Sequence, residues 1–290
     1  MSAPVSFLKG HLFLQGHLFL KGHGTGNDFV LLPDLDDELD LSAGMVAALC
    51  DRRHGIGADG ILRVVPDADE PGLYFMDYRN ADGSLAEMCG NGARVFGRYL
   101  VDAGLQPAGR FDIVTRAGRR TLDVPAEGDV TVDMGPATFP GPDGVRVSVD
   151  GGRQWPAVPV DLGNPHAVVF VEDLADAGRL LDPPDVQPPT AFPHGVNVEF
   201  AVSRGPAHLA MRVHERGSGE TQSCGTGACA VFAAARRRDG AAQPGASWTV
   251  DVPGGRLRLR QRDDGGIDLT GPVRIVASGT VDHDWLEGHR

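Results

Sequence analysis

The stretches MCGNGA at 88–93 and SCGTGA at 223–228 are near copies, and they set Cys89 and Cys224 135 residues apart. Each places a cysteine directly before a Gly-x-Gly turn that opens an apolar, helix-like segment. One such turn is often only a helix start. A pair with matching flanks requires a duplicated unit that carries the same cysteine turn at the same place in each copy. The flanks extend the match: RNADGSLAEMCGNGARVF lies over HERGSGETQSCGTGACAV, which sets Asn80 against Glu215. At a slightly larger offset HGTGNDFV lies over DLGNPHAVVF and matches Asn27 with Asn164. Two copies of one domain facing each other would place equivalent thiols across a shared cleft.

A chain of 290 residues can bury a substantial core, and the duplication favours two domains over one. The formal charge of −12, with no basic tail, argues against a nucleic-acid or anionic-membrane binder, because both depend on concentrated Lys and Arg. No apolar run approaches the ~18 residues of a membrane span, and the N-terminus has no secretory pattern, so the expected location is the cytoplasm. The four cysteines have none of the short spacings of a zinc ribbon or a small disulfide scaffold. Cys50 and Cys229 sit in apolar helical sequence and are expected to be inert core residues.

The first residues carry a tandem hexamer, FLKGHL from 7, FLQGHL from 13 and FLKGHG from 19. Residues 1–18 are read as a repetitive extension without function, with the ordered protein beginning near Phe19 and two short strands flanking the turn HGTGND. Helices are expected over 41–53, where Ser42 is a cap, over 92–104, closing at Gly104, and over 227–238, stopped near Gly240 with arginines in the last turn. ILRVVP, LYFMDYR, FDIVTR and RRTLDVP read as strands in the first half. AVVFVEDL, VNVEFAV, HLAMRVHER, WTVDVPGG, RLRLRQ and GIDLTG read as strands in the second. Residues 134–159, rich in Pro and Gly, read as a break, with a domain boundary just before Met134.

A cysteine at a helix start meets N–H groups that lack intrahelical acceptors and the positive end of the helix dipole, so thiolate is favoured and a free-thiol pKa of ~8.5 can fall to ~3.5–7.5. The same amides can bind a carboxylate, and the turn glycines keep side chains out of its way. Two such turns suit inversion at a carbon beside a carboxylate, one sulfur taking a proton from one face and the other delivering one to the opposite face. A pyridoxal cofactor would need a lysine, and the only lysines are Lys9, in the repeat, and Lys21. Cofactor-free chemistry is the better reading. GIGADG at 55–60 matches a dinucleotide fingerprint, but helix-like sequence precedes it rather than a strand. His166 reads equally as a base or as a structural histidine, and its place beside Asn164 favours function.

These residues resemble the diaminopimelate epimerase family. HGTGNDFV, GIGADG, NADGS with EMCGNGAR, LGNPHAVVF, GVNVEF, and ERGSGET with SCGTGACA occur in that family's order over residues 19 to about 282. The resemblance implies an α/β (α+β) fold of two pseudo-symmetric domains, each a mainly antiparallel strand barrel around a central helix. It places the first domain at 19–132 plus 270–290 and the second at 133–269. It implies cofactor-independent interconversion of LL- and meso-2,6-diaminopimelate, serving lysine and peptidoglycan synthesis, with no metal.

By position, Cys89 and Cys224 resemble the acid–base thiols, Cys89 as donor and Cys224 as acceptor from LL to meso. Gly90, Asn91, Gly225 and Thr226 would hold the reacting carboxylate through turn amides. Glu215 would receive the α-ammonium, Arg216, Asn80, Asn164 and Asn197 would read the distal end, and Asn27 would line the cleft. His166 and Glu215 resemble the residues that tune the thiols. The implied partner is a small-molecule substrate, and a homodimer is among the implied assemblies. Two positions depart from the family: Gly60 stands where some members carry a substrate-contacting glutamine, and Ala277 where some place an aromatic at the dimer contact.

A proline-racemase-like enzyme would share the duplication and paired thiols, but Arg216 with three asparagines favours a longer substrate with a second charged end. A redox or metal-binding thiol protein is the alternative outside catalysis, and no nearby Cys or His set completes a metal site.

Overall fold

The structure, a computed structural model, describes residues 16–240 and 245–290. They fall into two compact units, one containing Asp28–Val130, Val273–Arg290 and the strand ending at Gly24, the other containing Thr25–Asn27 and Thr131–Pro272.

The first unit contains β1 (Gly16–Gly24), β2 (Asn27–Pro33), α1 (Ala43–Cys50), β3 (Gly60–Pro66), β4 (Tyr74–Asn80), α2 (Gly90–Asp102), β5 (Gly109–Thr115) and β6 (Gly118–Val124). β2 pairs parallel with β3, β3 antiparallel with β4, β4 parallel with β5, and β5 antiparallel with β6. The Ser42 side chain accepts from Met45 N and caps α1, a contact whose loss costs roughly 1 kcal/mol. Strands β1, β3, β4 and β6 pack against α2, and Ala93, Val95, Phe96 and Leu100 are fully buried. The helix ends at a cap on Ala103, and Gly104 follows at φ 72°.

The second unit repeats the plan. It contains β7 (Val130–Pro136), β8 (Arg146–Ser148), β9 (Gln154–Asp161), β10 (Pro165–Phe170), β11 (Asp185–Gln187), β12 (Asn197–Gly205), β13 (His208–Glu215), β14 (Gly219–Glu220), α3 (Gly225–Asp239), β15 (Ser247–Val252), β16 (Gly255–Gln261) and β17 (Gly266–Gly271). β10 pairs parallel with β12, β12 antiparallel with β13, β13 parallel with β15, and β15 antiparallel with β16. That is the order of directions of β2 to β6. The central helix is α3, packed against β9, β10, β12, β13 and β15 to β17. It stops at Gly240 in the left-handed region, with Arg236, Arg237 and Arg238 in its last turn. The aromatic rings of Phe232, Phe139 and Phe170 lie beneath those three guanidiniums in turn. The chain then returns to the first unit as β18 (Arg274–Asp282) and α4 (His283–Glu287), β18 pairing antiparallel with β1.

Each unit is thus a mainly antiparallel set of strands around one helix, a mixed α/β fold. Three sequence readings change. The expected break at 134–159 takes in the end of β7, all of β8 and most of β9, and the boundary set before Met134 falls inside β7, whose residues Val130, Val132 and Met134 alternate inward. Alternation over so few positions was masked by the surrounding prolines and glycines. Order begins before Phe19, since Gly16, His17 and Leu18 pair with Asp282, Val281 and Thr280. The rest of the expected extension lies outside the described residues. The return segment starts at Val273.

Only the third hexamer ends in glycine, and that fixes the register of β1. A Cβ at Gly24 would stand 3.1 Å from Asn91 O and 2.8 Å from Arg94 Nη2. A slip by one repeat keeps every side chain on its face but brings Leu18 to that point.

Candidate active site

Both cysteines of the duplicated motif are N-caps. Cys89 is extended at φ −138°, ψ 118°, and its Sγ accepts from Gly92 N at 3.4 Å. Cys224 is extended at φ −115°, ψ 117°, and its Sγ accepts from Gly227 N at 3.4 Å. The first-turn amides of α2 and α3 thus face sulfur in the same way. Cys89 is partly exposed and Cys224 buried. Cys50 and Cys229 are buried, and burial pushes the Cys50 thiol up to about 12. Neither has the exposed, electropositive setting of a reactive thiol.

A polar cluster surrounds Cys224 within its own unit. Thr226 Oγ1 is 3.5 Å from Cys224 Sγ and accepts from Asn164 Nδ2 at 3.2 Å. Asn164 Oδ1 lies 3.0 Å from His166 Nε2, and His166 Nδ1 lies 2.7 Å from Glu199 Oε1. His166 and Glu199 are fully buried. The Glu215 carboxyl accepts from Thr221 Oγ1 and is hydrogen-bonded to Cys224. Asn197 Oδ1 accepts from Arg216 N at 2.9 Å, and Arg216 Nη1 donates to His194 O at 2.8 Å.

Electrostatics in this cluster oppose the helix-start effect. Burial pushes the Cys224 thiol well above its ordinary value, and the carboxylates of Glu215 and Glu199 add to the shift, outweighing the bonds from Thr226 and Gly227. Glu215 is also raised, first by desolvation of its enclosed carboxyl and then by Glu199, against the bonds from Thr221 and Cys224. The sequence expectation of a thiolate therefore fails for Cys224 as it stands, because burial and two carboxylates outweigh one turn of helix.

The Cys89 turn has a different lining. Phe29 and Leu62 lie beneath Gly92. Asn91 is buried and its Oδ1 accepts from Arg94 Nη2 at 2.8 Å. Asn80 accepts from Tyr78 OH at 2.9 Å and donates to Ser84 Oγ at 3.0 Å. The strand β3 at Gly60 has no room for a side chain, since a Cβ there would meet Arg79 O at 2.6 Å. GIGADG lies between α1 and β3, the reverse of the strand-then-helix order that a dinucleotide turn requires. Lys21 is ion-paired with Asp28 at 2.6 Å.

His166, Asn164, Glu215 and Thr226 are thus gathered around Cys224, and Asn197 and Arg216 are joined to each other. Asn27 belongs to the second unit with Thr25, whose hydroxyl is 2.7 Å from that of Ser223, the residue before Cys224. Sequence reasoning missed Glu199, Thr221, Ser223 and Thr25. Glu199 had a signal: it is a charged residue inside the apolar strand VNVEFAV at a position that points inward. Among the described residues no group of His, Cys, Asp and Glu could hold a metal ion, and no helix is long and apolar enough to cross a membrane.

The family model described as diaminopimelate epimerase matches residues 19–140 and 158–276. A diaminopimelate epimerase of Streptomyces coelicolor is 58% identical, with 99% of both chains covered. Those of Acidothermus cellulolyticus and Mycobacterium ulcerans are 48% and 45% identical, the first covering 96% of both chains and the second 98% of this chain and 99% of its own. Among solved structures, a hydroxyproline epimerase from Agrobacterium vitis superposes with a TM-score of 0.68 at 14% identity, covering 92% of this chain and 91% of its own. A PhzF-family phenazine biosynthesis protein from Bacillus anthracis gives 0.69 at 15% identity, covering 92% and 99%. These two share the fold. On the sequence matches, which run through both units, the chain belongs to the diaminopimelate epimerase family.

Proposed function

We propose that this protein interconverts LL- and meso-2,6-diaminopimelate without a cofactor, by acid–base chemistry at two cysteines, in the synthesis of lysine and peptidoglycan. The observation that carries the reading is the matched pair of caps: in two copies of one topology, a cysteine sulfur receives the third amide of the central helix at 3.4 Å.

From LL to meso, Cys224 takes the α-proton and Cys89 returns one to the opposite face. The bond broken is C–H and the bond formed is S–H, with the electron pair passing into the carboxylate as enediolate charge. The amides of Gly90, Asn91, Gly225 and Thr226 stabilise that charge, since acid–base catalysis alone supplies about 10²- to 10⁴-fold. Glu215 receives the α-ammonium. Burial is the first cause that holds the Cys224 thiol up and the Glu215 charge adds to it, so a cation on Glu215 offsets that part and substrate binding moves Cys224 toward thiolate. His166 and Glu215 tune Cys224, and Arg216, Asn80, Asn164 and Asn197 read the distal amino-acid end, with Asn27 beside them. The two domains are the two units of the fold, one containing 28–130 and 273–290 and the other 131–272. A cytoplasmic location fits a biosynthetic enzyme with a small-molecule substrate. A homodimer fits the family, and the exposed run Val276–Ser278 on β18 is available to it.

The test is to incubate metal-free, pyridoxal-free protein under reductant in D₂O with LL-diaminopimelate or with L-proline. Deuterium entering diaminopimelate with formation of the meso isomer supports the reading. Entry into proline moves the protein to racemase chemistry, and no exchange in either overturns catalysis by the thiols.

A further inference from the structure

The duplicated fold supplies its own control for the buried pair His166 and Glu199. In β2 and β3 Phe29 pairs with Gly60, as His166 pairs with Asn197 in β10 and β12. Two residues further on, Leu62 is the counterpart of Glu199. Beneath the Cys89 turn a Cβ on Gly92 would meet Leu62 Cδ2 at 3.1 Å and Phe29 Cζ at 3.5 Å. Beneath the Cys224 turn a Cβ on Gly227 would meet Glu199 Oε1 at 2.7 Å. One copy therefore packs this space with Phe and Leu, and the other with an imidazole and a carboxyl. Packing does not require the polar pair, since burying such groups is costly and the apolar pair fills the same place.

We infer that Glu199 is a positioning residue for proton transfer at Cys224, holding His166 so that a one-way line of hydrogen bonds ends as a donor on the sulfur. This rests on the reading of Cys224 as an acid–base thiol. Asn164 Oδ1 can only accept, so His166 Nε2 facing it at 3.0 Å carries a hydrogen. The Asn164 amide then donates to Thr226 Oγ1 at 3.2 Å, which leaves the Thr226 proton to point at Cys224 Sγ, 3.5 Å away. With Nε2 protonated, Nδ1 meets Glu199 Oε1 at 2.7 Å across one shared proton, so the pair is net neutral whichever atom holds it. Glu199 Oε2 is buried and has no hydrogen-bond partner, so the carboxyl is committed to His166. No proton leaves this line during turnover. Its hydrogen bond favours the thiolate that burial, Glu215, facing the same sulfur from β13, and the Glu199 charge oppose, and the proton shared with His166 offsets that last charge. Beneath the Cys89 turn the positions of His166 and Glu199 are taken by Phe29 and Leu62.

The experiment uses the full-length protein as Glu199→Gln and Glu199→Leu, with Glu199→Asp as the conservative variant. Folding is checked by circular dichroism and thermal unfolding. For folded Glu199→Gln the expected result is a fall in kcat of ~10- to 100-fold, the scale seen when the partner behind a working histidine is removed, with KM changed less than about threefold. Partial rescue is expected in Glu199→Asp. A slowed Cys224 step leaves a direction-specific mark in D₂O. Starting from meso, the Cys89 step reverses before the Cys224 step completes, so deuterium enters unreacted meso substrate ahead of conversion. Starting from LL, no such excess appears in unreacted substrate.

Histidine ¹⁵N spectra give an arm independent of turnover, with the His166 signals identified by their loss in His166→Gln. In wild type, Nε2 carries hydrogen and Nδ1 is hydrogen-bonded; in Glu199→Leu, or in Glu199→Gln if the leucine variant does not fold, the Nδ1 signal changes while Nε2 keeps its hydrogen. Wild-type kcat in Glu199→Gln, equal excess exchange from both isomers, or a wild-type Nδ1 signal of an unbonded nitrogen would each overturn the inference. Inactive wild-type protein would instead overturn the function it rests on.

Discussion

The Glu215 carboxylate makes a thiolate on the buried Cys224 harder to form, whereas Cys224 eases the charge on Glu215, whose own value is raised by desolvation and by Glu199. Both groups have folded-state pKa values above their ordinary ones. A raised value means that the folded state binds the proton more tightly than the unfolded chain, so stability is intact below the unfolded value and erodes as pH rises through the window above it. For Cys224 the window opens near the ordinary thiol value of 9.0. The melting temperature of wild type should therefore fall more steeply above about pH 9 than that of Cys224→Ser. Cys50, pushed up to about 12, contributes with the same sign in both proteins and cancels in the comparison. Parallel slopes in a fluorimetric pH series would remove the burial argument for Cys224.

In the proposed mechanism each thiol serves one face of the reacting carbon, so neither can stand in for the other. Cys89→Ser and Cys224→Ser should each lower epimerisation by at least about 10²-fold, the lower end of what a positioned acid or base supplies. A hydroxyl is far less acidic than a thiol, while its oxygen can still accept from the third helical amide, so the caps and the fold should survive. Retained circular dichroism with lost turnover is the expected pair of measurements. Near-normal kcat in either variant would sink the two-thiol mechanism.

The helices and the cysteine turns were legible because their signals are local: a cap three residues from its amide, a glycine after the last turn, an apolar face at helical spacing. Ser42, Gly104 and Gly240 each mark an end that the structure also has. What was not legible depends on partners distant in sequence. Thr25 meets Ser223 across 198 residues, and no pattern near either predicts it. Glu199 reads as a charge in a buried strand, and only the register of β10 against β12 brings it to His166. Strand β18 carries no alternating apolar pattern, because its residues Val276, Ala277 and Ser278 are exposed, and its pairing with β1 gives it order. The thiolate expected at Cys224 failed for a related reason: the helix effect is local, while burial and the two carboxylates come from other elements.

Asp77 is the electrostatic centre of the first unit. Its carboxylate is buried between Arg79, at 3.0 Å, and Arg116, with Arg63 at 3.8 Å. Arg63 also pairs with Asp34 at 2.5 Å and with Asp37. Desolvation alone would raise Asp77, but the two bonded arginines win and its pKa is lowered. Stability from this group is therefore present above the ordinary carboxyl range and lost as pH falls through it. Asp77→Asn leaves three guanidiniums without their shared anion and should cost ~3–5 kcal/mol in urea unfolding, with a flatter acid limb than wild type. A loss under about 1 kcal/mol would show that the arginines find water or other partners instead.

Gly24 decides which hexamer becomes β1. The three copies differ at only two of six positions: the third residue is Lys, Gln and Lys, and the last is Leu, Leu and Gly. Lys21 pairs with Asp28, but Asp28 also holds Arg52 at 2.7 Å, so Lys21→Gln should cost at most about 1 kcal/mol. Gly24→Leu makes the third copy end like the first two. It drives a side chain into Asn91 O and the Arg94 guanidinium, which stand behind the first turn of α2 and hence behind the Cys89 cap. Overpacking of this kind costs ~1–3 kcal/mol and cannot be relieved by slipping one repeat, because Leu18 then arrives at the same place. Chemical denaturation of the two variants should therefore rank Gly24→Leu well below Lys21→Gln. Gly24→Leu should also lose turnover at Cys89, read as deuterium entry into meso substrate. Equal stability of the two variants would assign the choice of register to the lysine instead.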